Sequence, residues 1–219
     1  MKPQIVMTLL SLAGSSGCGS HSNAATQLQA PSGEAWLTTQ QVKSANADLV
    51  FVAWAGTTAG AMWKALDQQN VFNGPDVVTG LAERATWGAL GDQATKIHFL
   101  SHYVYTAPKN KVNDCLVAQL RKKSQVPDLF TPDGFNAALM IVHALKSAGS
   151  DDPDKMVAAL EGFKFLGPKG FEAIRPQDHA TLQPMFRVEL AQNGARLTAK
   201  VLGTANSFQT APPQVAMKG

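Results

Sequence analysis

The sequence has few cysteines, few charges and no long apolar run. Its two cysteines, Cys18 and Cys115, are too few for a disulfide framework. Charged residues make up 16% of the 219 residues, and the only basic cluster, residues 121–123, suits the end of a helix. Because a nucleic-acid-binding surface needs a stripe of basic residues with interleaved aromatics, we predict no nucleic-acid partner. The 45% hydrophobic content is enough for a core in one or two globular units.

The chain also lacks the common motifs of nucleotide binding and catalysis. Residues 56–60 have no Gly-Lys-Ser/Thr of a P-loop, and neither the GxGxxG of a dinucleotide fold nor a GxSxG serine elbow occurs. His98 and His102 have no third metal ligand at matching spacing, so packed or surface histidines are favoured. Cys115 lies among apolar residues of a predicted helix, which favours a small buried residue over a thiol nucleophile. We predict no cofactor, no metal and no enzymatic activity, with a thiol hydrolase through Cys115 as the weakest alternative.

The first residues have the pattern of an export signal. Lys2 precedes an apolar segment, residues 5–13, that is far shorter than the roughly 20 residues needed to span a bilayer. Residues 22–24 fit an ordinary signal peptidase site, whereas residues 12–18 resemble a lipoprotein signal in which Cys18 would be acylated. Ser15 stands in that signal where an aliphatic residue is usual. Both processing routes remain open.

Residues 47–66 have the pattern of a strand, a turn and a helix. The apolar run 49–54 suits a buried strand, and the chain breaks at Ala55 and Gly56. Thr57 and Thr58 supply two candidate capping hydroxyls for a helix with apolar residues at helical spacing. In α/β sheets, ligands lie beyond the carboxyl ends of the strands. Residues 54–58 are therefore the first candidate binding site.

A second strand is predicted at residues 76–79, followed by a loop and a helical turn around Trp87. If the two strands are parallel neighbours, their ends lie side by side. Glu83 is then a candidate partner for a ligand amine, with an exposed loop carboxylate or a pair with Arg84 as the alternatives. A third strand is predicted at 97–105, with His98 and His102 on one face.

The second half of the chain is predicted to be mostly helical. Helices are expected at 111–123, from the N-cap Thr131 to a stop at Gly149, and from Asp152 to Gly162. A last strand at 182–190 precedes a hairpin-like turn at 193–194, and the chain is expected to fray beyond about residue 201. The apolar helix positions expected to be buried are Phe135, Ala138, Leu139, Val142, Leu145, Met156, Val157 and Leu160.

Four separated segments resemble one known family. Residues 40–72, 77–84, 127–149 and 167–188 are similar, in that order, to the carboxyl-terminal half of the periplasmic leucine/isoleucine/valine-binding family. These are the substrate-binding proteins of ABC importers for branched-chain amino acids and related solutes. The resemblance covers about residues 25–205. It implies a type I periplasmic-binding α/β fold, with one Rossmann-like lobe and the helices of an incomplete second lobe. It also implies a small-molecule ligand, an ABC permease as partner and a periplasmic or extracytoplasmic location, with lipid anchoring if Cys18 is acylated.

The resemblance also implies domain bounds and ligand contacts. Residues 1–24 would be the signal and linker, 25–107 the ligand-binding lobe, 108–166 the helical part of the other lobe, 167–205 the return, and 206–219 a flexible tail. The family has an acid for the ligand's amino group where this chain has Ala82, one residue before Glu83. The ligand contacts carried over are Trp54, Ala55, Gly56, Thr57, Thr58 and Glu83.

Family members have well over a hundred residues ahead of the first matching segment. The resemblance therefore implies that the helices of residues 111–162 lack their own sheet, and we expect their apolar faces to be partly uncovered. Two explanations remain open, a truncated member or a partner chain that supplies the rest. The alternative function is a sensor or protein-interaction module derived from the same fold.

Overall fold

A computed structural model describes residues 5–9, 25–29, 35–54, 56–215 and 217. The chain divides into two compact units, which we call unit 1 (residues 1–100 and 188–200) and unit 2 (residues 101–187 and 201–219). The predicted lobe bounds differ from this division, because residues 101–107 and 167–187 group with the helices in unit 2. The roles of the two units as ligand-binding lobes stay a prediction.

The mixed α/β class is confirmed. A sheet with the strand order β10-β9-β5-β4-β3-β1-β2 contains a run of parallel neighbours from β2 to β5. Its strands are β1 (Ile5–Leu9), β2 (Ala25–Gln29), β3 (Leu49–Ala53), β4 (Asp76–Gly80), β5 (Ile97–Ser101), β9 (Met185–Asn193) and β10 (Arg196–Ala205). A second, three-stranded sheet consists of β6 (Lys164–Gly167), β7 (Gly170–Ile174) and β8 (Thr181–Leu182). The helices are α1 (Ala35–Ser44), α2 (Ala59–Gln68), α3 (Lys111–Arg121), α4 (Thr131–Ala148) and α5 (Pro153–Leu160), with 3₁₀ turns at Val71–Asn73 and Arg84–Lys96.

The β3–α2–β4 segment confirms the strand, turn and helix predicted at residues 47–66. Val50 and Val77 are adjacent in register and fully buried, as expected for branched side chains in a parallel sheet. The apolar positions of α2 recur at helical spacing, so Met62, Trp63 and Leu66 are all buried on one face. The strands and the helix therefore share one apolar core in unit 1.

β1 lies where an export signal is predicted. Ile5–Leu9 pairs in parallel with both β2 and β3, inside the apolar segment assigned to the signal. A short apolar run suits a signal and a buried strand equally well, so periodicity does not separate the two. The signal stays a prediction, and both processing sites and Cys18 lie outside the described residues.

The third strand is shorter than predicted. It ends at Ser101, because the Ser101 side chain donates to the Tyr103 carbonyl at 2.8 Å and accepts from the Tyr103 amide at 3.2 Å. His98 and His102 therefore do not share a strand face, which corrects that prediction. His98 lies 3.5 Å from a Glu189 carboxylate oxygen. His102 contacts the Leu129 carbonyl at 3.0 Å.

The three helices of unit 2 lie close to their predicted positions, but their caps differ. Asn110 and Asp152 accept hydrogen bonds from the backbone at the starts of α3 and α5. Thr131, the predicted cap of α4, is instead its first helical residue, and its hydroxyl accepts from the Asp128 amide at 2.9 Å. Phe130 takes the cap position without a side-chain bond.

The predicted burial of the apolar helix faces is wrong for several residues. Val142 is 50% exposed, Leu145 41% and Val157 45%, and no residue of α5 is buried. The buried residues of α4 are Pro132, Asn136 and Ala144. The partly uncovered faces expected from the family resemblance are therefore observed.

Two further expectations are corrected in unit 2. Cys115 is an exposed free cysteine, because the α3 residue that turns inward is Asn113 and not the thiol. The chain beyond residue 201, expected to fray, continues β10 to Ala205. Farther on, Arg175 donates to the Pro212 carbonyl at 2.9 Å, which attaches the segment predicted to be a tail.

Candidate functional site

A pocket lies at the carboxyl ends of β3 and β4 in unit 1, where the sequence predicts a site. Its volume is about 90 Å³. The wall combines the last residues of the two strands with α2 and the 3₁₀ turn that follows β4. The lining residues are Trp54, Ala59, Trp63, Thr79, Gly80, Ala82, Thr86, Trp87, Ala89, Leu90 and Phe99.

The turn after β3 sets the position of Trp54. Gly56 has a φ of 94°, a region that glycine enters without a steric penalty. The Trp54 indole N–H donates to the Thr58 hydroxyl at 3.0 Å, so that hydroxyl does not cap α2 as predicted. Gly56, Thr57 and Thr58 are exposed and do not line the pocket.

Two other hydrogen bonds fix the pocket wall. Trp87 is 7% exposed and donates its indole N–H to the Ala82 carbonyl at 2.8 Å. Thr79 donates its hydroxyl to the Val52 carbonyl at 2.7 Å and ties β4 to β3. The polar groups of these side chains are thus used within the protein, and their apolar surfaces line the pocket.

The structure brings together only part of the predicted contact set. Trp54 lines the pocket, and Thr58 is bonded to it. Glu83 is half-buried and is not a lining residue; its carbonyl accepts from the amide and hydroxyl of Thr86 at 2.9 and 2.8 Å. Ala55 lies outside the described residues.

Sequence reasoning missed three aromatic members of the pocket. Trp63 and Phe99 read as ordinary core positions of a helix and a strand, and both are buried. Trp87 was recognised as part of a helical turn but not as a wall. The sequence offers one indication of an aromatic pocket in this part of the chain, which is the position of the tryptophans. All four lie before residue 88.

Unit 2 contains a separate polar cluster, in which Asn136, Lys169 and Glu172 are buried and Asp133 and Gln183 are partly exposed. Lys169 donates to Asp133 at 2.5 Å and to Gln183 at 2.6 Å. The Asn136 amide donates to both Glu172 oxygens at 2.8 and 2.9 Å. Burial raises the pKa of the Glu172 carboxyl, while the Asn136 hydrogen bond and the Lys169 charge oppose the rise. The cluster borders an open cavity of about 540 Å³ with apolar walls from α4 and α5.

No group of three or more metal-ligating side chains converges anywhere in the described ranges. Within the same ranges, none of the helices combines the length and the apolar character required to cross a membrane.

Comparison with known proteins decides the family. The sequence profile of the periplasmic binding protein family matches residues 24–195. The chain belongs to this family. Its members are binding proteins rather than enzymes, and membership implies an extracytoplasmic location. No match is found among curated proteins.

Solved structures agree on the type I periplasmic-binding fold. A branched-chain amino acid ABC transporter protein from Rhodopseudomonas palustris CGA009 superposes with a TM-score of 0.78 and 24% identity over 98% of this chain. An ABC solute-binding protein from R. palustris HaA2, in complex with p-hydroxybenzoic acid, gives 0.75 and 19% over 94%. A leucine-, isoleucine-, valine-, threonine- and alanine-binding protein from Brucella ovis gives 0.76 and 14% over 98%.

The chain spans only 61–62% of the length of these three proteins. At these identities the likeness establishes the fold of this chain. The resemblance to the periplasmic-binding family is therefore confirmed for the family and for the fold.

Proposed function

We propose that this protein is the solute-binding component of an ABC importer for branched-chain amino acids or similar small solutes. The observation that carries the proposal is the pocket at the carboxyl ends of β3 and β4, the edge where α/β sheets bind ligands. Family membership and the ligands of the superposed proteins support it. The partner that follows is an ABC permease in the membrane.

We assign the solute contacts to the loops after β3 and β4. Trp54 lines the pocket, and the exposed Thr57 and Thr58 follow in the same loop, where the Thr58 hydroxyl accepts from the Trp54 indole N–H. Ala55 and Gly56 complete the first loop. Glu83 remains the candidate carboxylate of the second loop, although it is not a lining residue of the pocket.

Isothermal titration calorimetry of the purified chain tests this function. The panel contains leucine, isoleucine, valine, benzoate and 4-hydroxybenzoate, and we expect at least one to bind. Trp54→Ala should weaken that binding about tenfold, because it removes one aromatic wall. Phe208→Ala, at a 67% exposed aromatic residue of unit 2, is the matched control and should leave affinity unchanged. Equal affinities of the two variants would remove Trp54 from the site.

Location is tested separately. We propose export followed by either soluble release or lipid anchoring at Cys18. The mass of the mature protein from cells distinguishes a chain that begins near residue 25 from one that carries an acylated Cys18. Cys18→Ala should abolish the acylated form and leave the mass of the chain that begins near residue 25 unchanged.

A protein-interaction module is the second candidate function. It is favoured by the exposed apolar stripe of Ile141, Val142 and Leu145 on α4. Light scattering during size-exclusion chromatography should then detect a complex that Val142→Glu dissolves. A monomer that binds a solute would exclude this candidate in favour of the first.

A further inference from the structure

The helix α4 of unit 2 presents a line of residues along one side, which we call the α4 seam. Its members are Gly134, Ala138, Ile141 and Leu145, and all of them are exposed to solvent. They are four, three and four residues apart, which is the spacing at which a helix presents one line of side chains to a neighbouring helix. Residues 134–145 contain no Asp, Glu, Lys or Arg, and the centres of protein interfaces are likewise poor in charge. The α4 seam therefore fits a second helix.

Residue size is distributed unevenly along the seam. Its first two members are small, whereas Ile141 and Leu145 are large and 53% and 41% exposed. The space beside Gly134 is open, because apart from the helix's own backbone no atom lies within 4 Å of the place where a Cβ would stand. The first half of the seam thus offers two holes, and the second half offers two knobs.

This order is complementary to itself when a second copy of α4 runs in the opposite direction. In such an antiparallel pair, Leu145 of one copy faces Gly134 of the second copy, and Ile141 faces Ala138. Each of the four layers then combines one large and one small side chain, so that the helix axes stay about 8 Å apart along the whole seam. A parallel pair would place Gly134 on Gly134 and Leu145 on Leu145, which leaves a gap at one end and crowds the other.

We propose that α4 is a dimerisation helix, which pairs in the antiparallel direction with α4 of a second copy of this chain. The contact is isologous, because each copy contributes the same two holes and two knobs about a twofold axis between Ala138 and Ile141. The proposal deepens the second candidate function, since it names the partner of the exposed apolar stripe on α4. It does not depend on solute binding in unit 1.

The dimer should be weak, because one helix supplies most of the contact. α4 has 18 residues and is about 27 Å long, so the seam buries clearly less than the roughly 800 Å² per partner of a standard interface. We expect a dissociation constant of about 10–100 µM. Sedimentation equilibrium of the purified chain between about 1 and 300 µM measures it. A chain that stays monomeric over this range overturns the proposal.

Exchanging the two central members of the seam tests the register. Ala138→Ile places an isoleucine against Ile141 of the second copy in both central layers, and this overpacking should raise the dissociation constant about tenfold. Ile141→Ala leaves two alanines in each of those layers and should raise it by a similar factor, through lost apolar contact. The double variant restores one large and one small side chain per layer. Its dissociation constant should return to within about threefold of that of the unmodified chain.

Ala85→Ile is the matched control, because it adds the same apolar surface at an exposed alanine of unit 1. It should leave the dissociation constant unchanged. Both exchanged seam positions are exposed, so the far-ultraviolet circular dichroism of the variants should match that of the unmodified chain. Tighter association of Ala138→Ile, or a double variant that associates no better than the single variants, would overturn the antiparallel register.

Self-association and solute binding are measured separately, so that either can fail without the other. A monomeric chain that binds a compound of the calorimetry panel removes the dimer and leaves the solute-binding function standing. A dimer with the expected register that binds none of those compounds does the reverse.

Discussion

In unit 1 the buried side chains are almost all apolar, whereas the buried set of unit 2 includes Lys169, Glu172 and two asparagines. Within the described residues, Thr39 and Thr79 are the only buried polar side chains of unit 1. Conversely, among the residues that the structure describes, every exposed large apolar one except Leu100 lies in unit 2.

The difference follows from how the backbone N–H and C=O groups of each unit find their hydrogen-bond partners. Parallel strands pair their own N–H and C=O groups, so apolar side chains alone can fill the space between sheet and helix. Unit 2 has short strands and long connections, and side chains such as Asn113 satisfy the carbonyls of Tyr105 and Pro108 at 3.0 and 3.3 Å. Unit 1 is thus stabilised chiefly by apolar burial, and unit 2 to a larger extent by buried polar contacts.

The largest expected effect comes from removing the same side chain in each unit. Leu66→Ala in unit 1 deletes a residue that is 2% exposed and should lower the free energy of unfolding by about 2–5 kcal/mol. Leu145→Ala in unit 2 deletes one that is 41% exposed and should change it by less than about 1 kcal/mol. Urea unfolding followed by circular dichroism measures both. Similar losses in the two variants would mean that α4 is covered in solution.

The pH dependence of Glu172 tests the polar interior of unit 2. Burial raises the pKa of this carboxyl in the folded chain above its usual 4.5, so the folded state holds a proton that the unfolded state releases. The free energy of unfolding should therefore fall as the pH rises from about 4.5 through the folded-state pKa, by about 1.4 kcal/mol per unit of pKa difference.

Glu172→Gln should remove the contribution of this carboxyl to the decrease in unfolding free energy with rising pH. The unfolding midpoint of the variant should therefore change less between pH 4 and pH 8 than that of the unmodified chain. The control is Glu189→Gln in unit 1, at a partly exposed carboxylate. Parallel pH profiles of the unmodified chain and Glu172→Gln would show that the Glu172 pKa is not raised.

Removing a side chain at a helix N-terminus should also destabilise the two units unequally, but by a smaller amount. Asn110→Ala removes the side chain that accepts from the Asn113 amide at 2.9 Å and donates to the Pro168 carbonyl at 3.2 Å. It should cost about 1 kcal/mol. Thr58→Ala at the start of α2 removes no capping bond and should cost clearly less. Chemical denaturation of both variants measures the difference, and the opposite order would refute this account of the caps.

The smallest effect is local to the end of the chain. Arg175 binds Asp178 through two nitrogens, at 2.7 and 2.5 Å, and Asp178 accepts from the Val215 amide at 3.2 Å. The Arg175 hydrogen bonds hold the pKa of Asp178 well below its usual range. Arg175→Ala should speed hydrogen exchange at Val215 with little change in the unfolding midpoint. Arg121→Ala, at the end of α3, should leave that exchange rate unchanged.

Local patterns predicted the elements of both units well. In unit 1, the run at 49–54 and the helical spacing of Met62 to Leu66 appear at their expected places, and the turn predicted at 193–194 lies one residue later, at 194–195. In unit 2, the three helices lie close to their predicted positions. Such patterns depend on neighbouring residues, and the sequence contains that information directly. The family resemblance added the fold, and it correctly indicated the uncovered helix faces.

Burial and side-chain partners were predicted less well, because they depend on residues far away in the sequence. Val142 has the apolar character of a core residue, yet nothing in the described chain covers half of its surface. The Thr58 hydroxyl had a helix N–H as its expected partner and has the indole of Trp54 instead. Likewise, Trp87 lines the pocket only when the 3₁₀ turn folds beside β3 and β4.

The tryptophans that wall the pocket also give unit 1 its own optical signal. All four tryptophans of the chain belong to unit 1, while both tyrosines, Tyr103 and Tyr105, belong to unit 2. Fluorescence excited at wavelengths that only indole absorbs therefore reports on unit 1 alone, without any label. Unfolding curves from this emission and from far-ultraviolet circular dichroism should coincide if the two units melt together, and separate if each melts by itself.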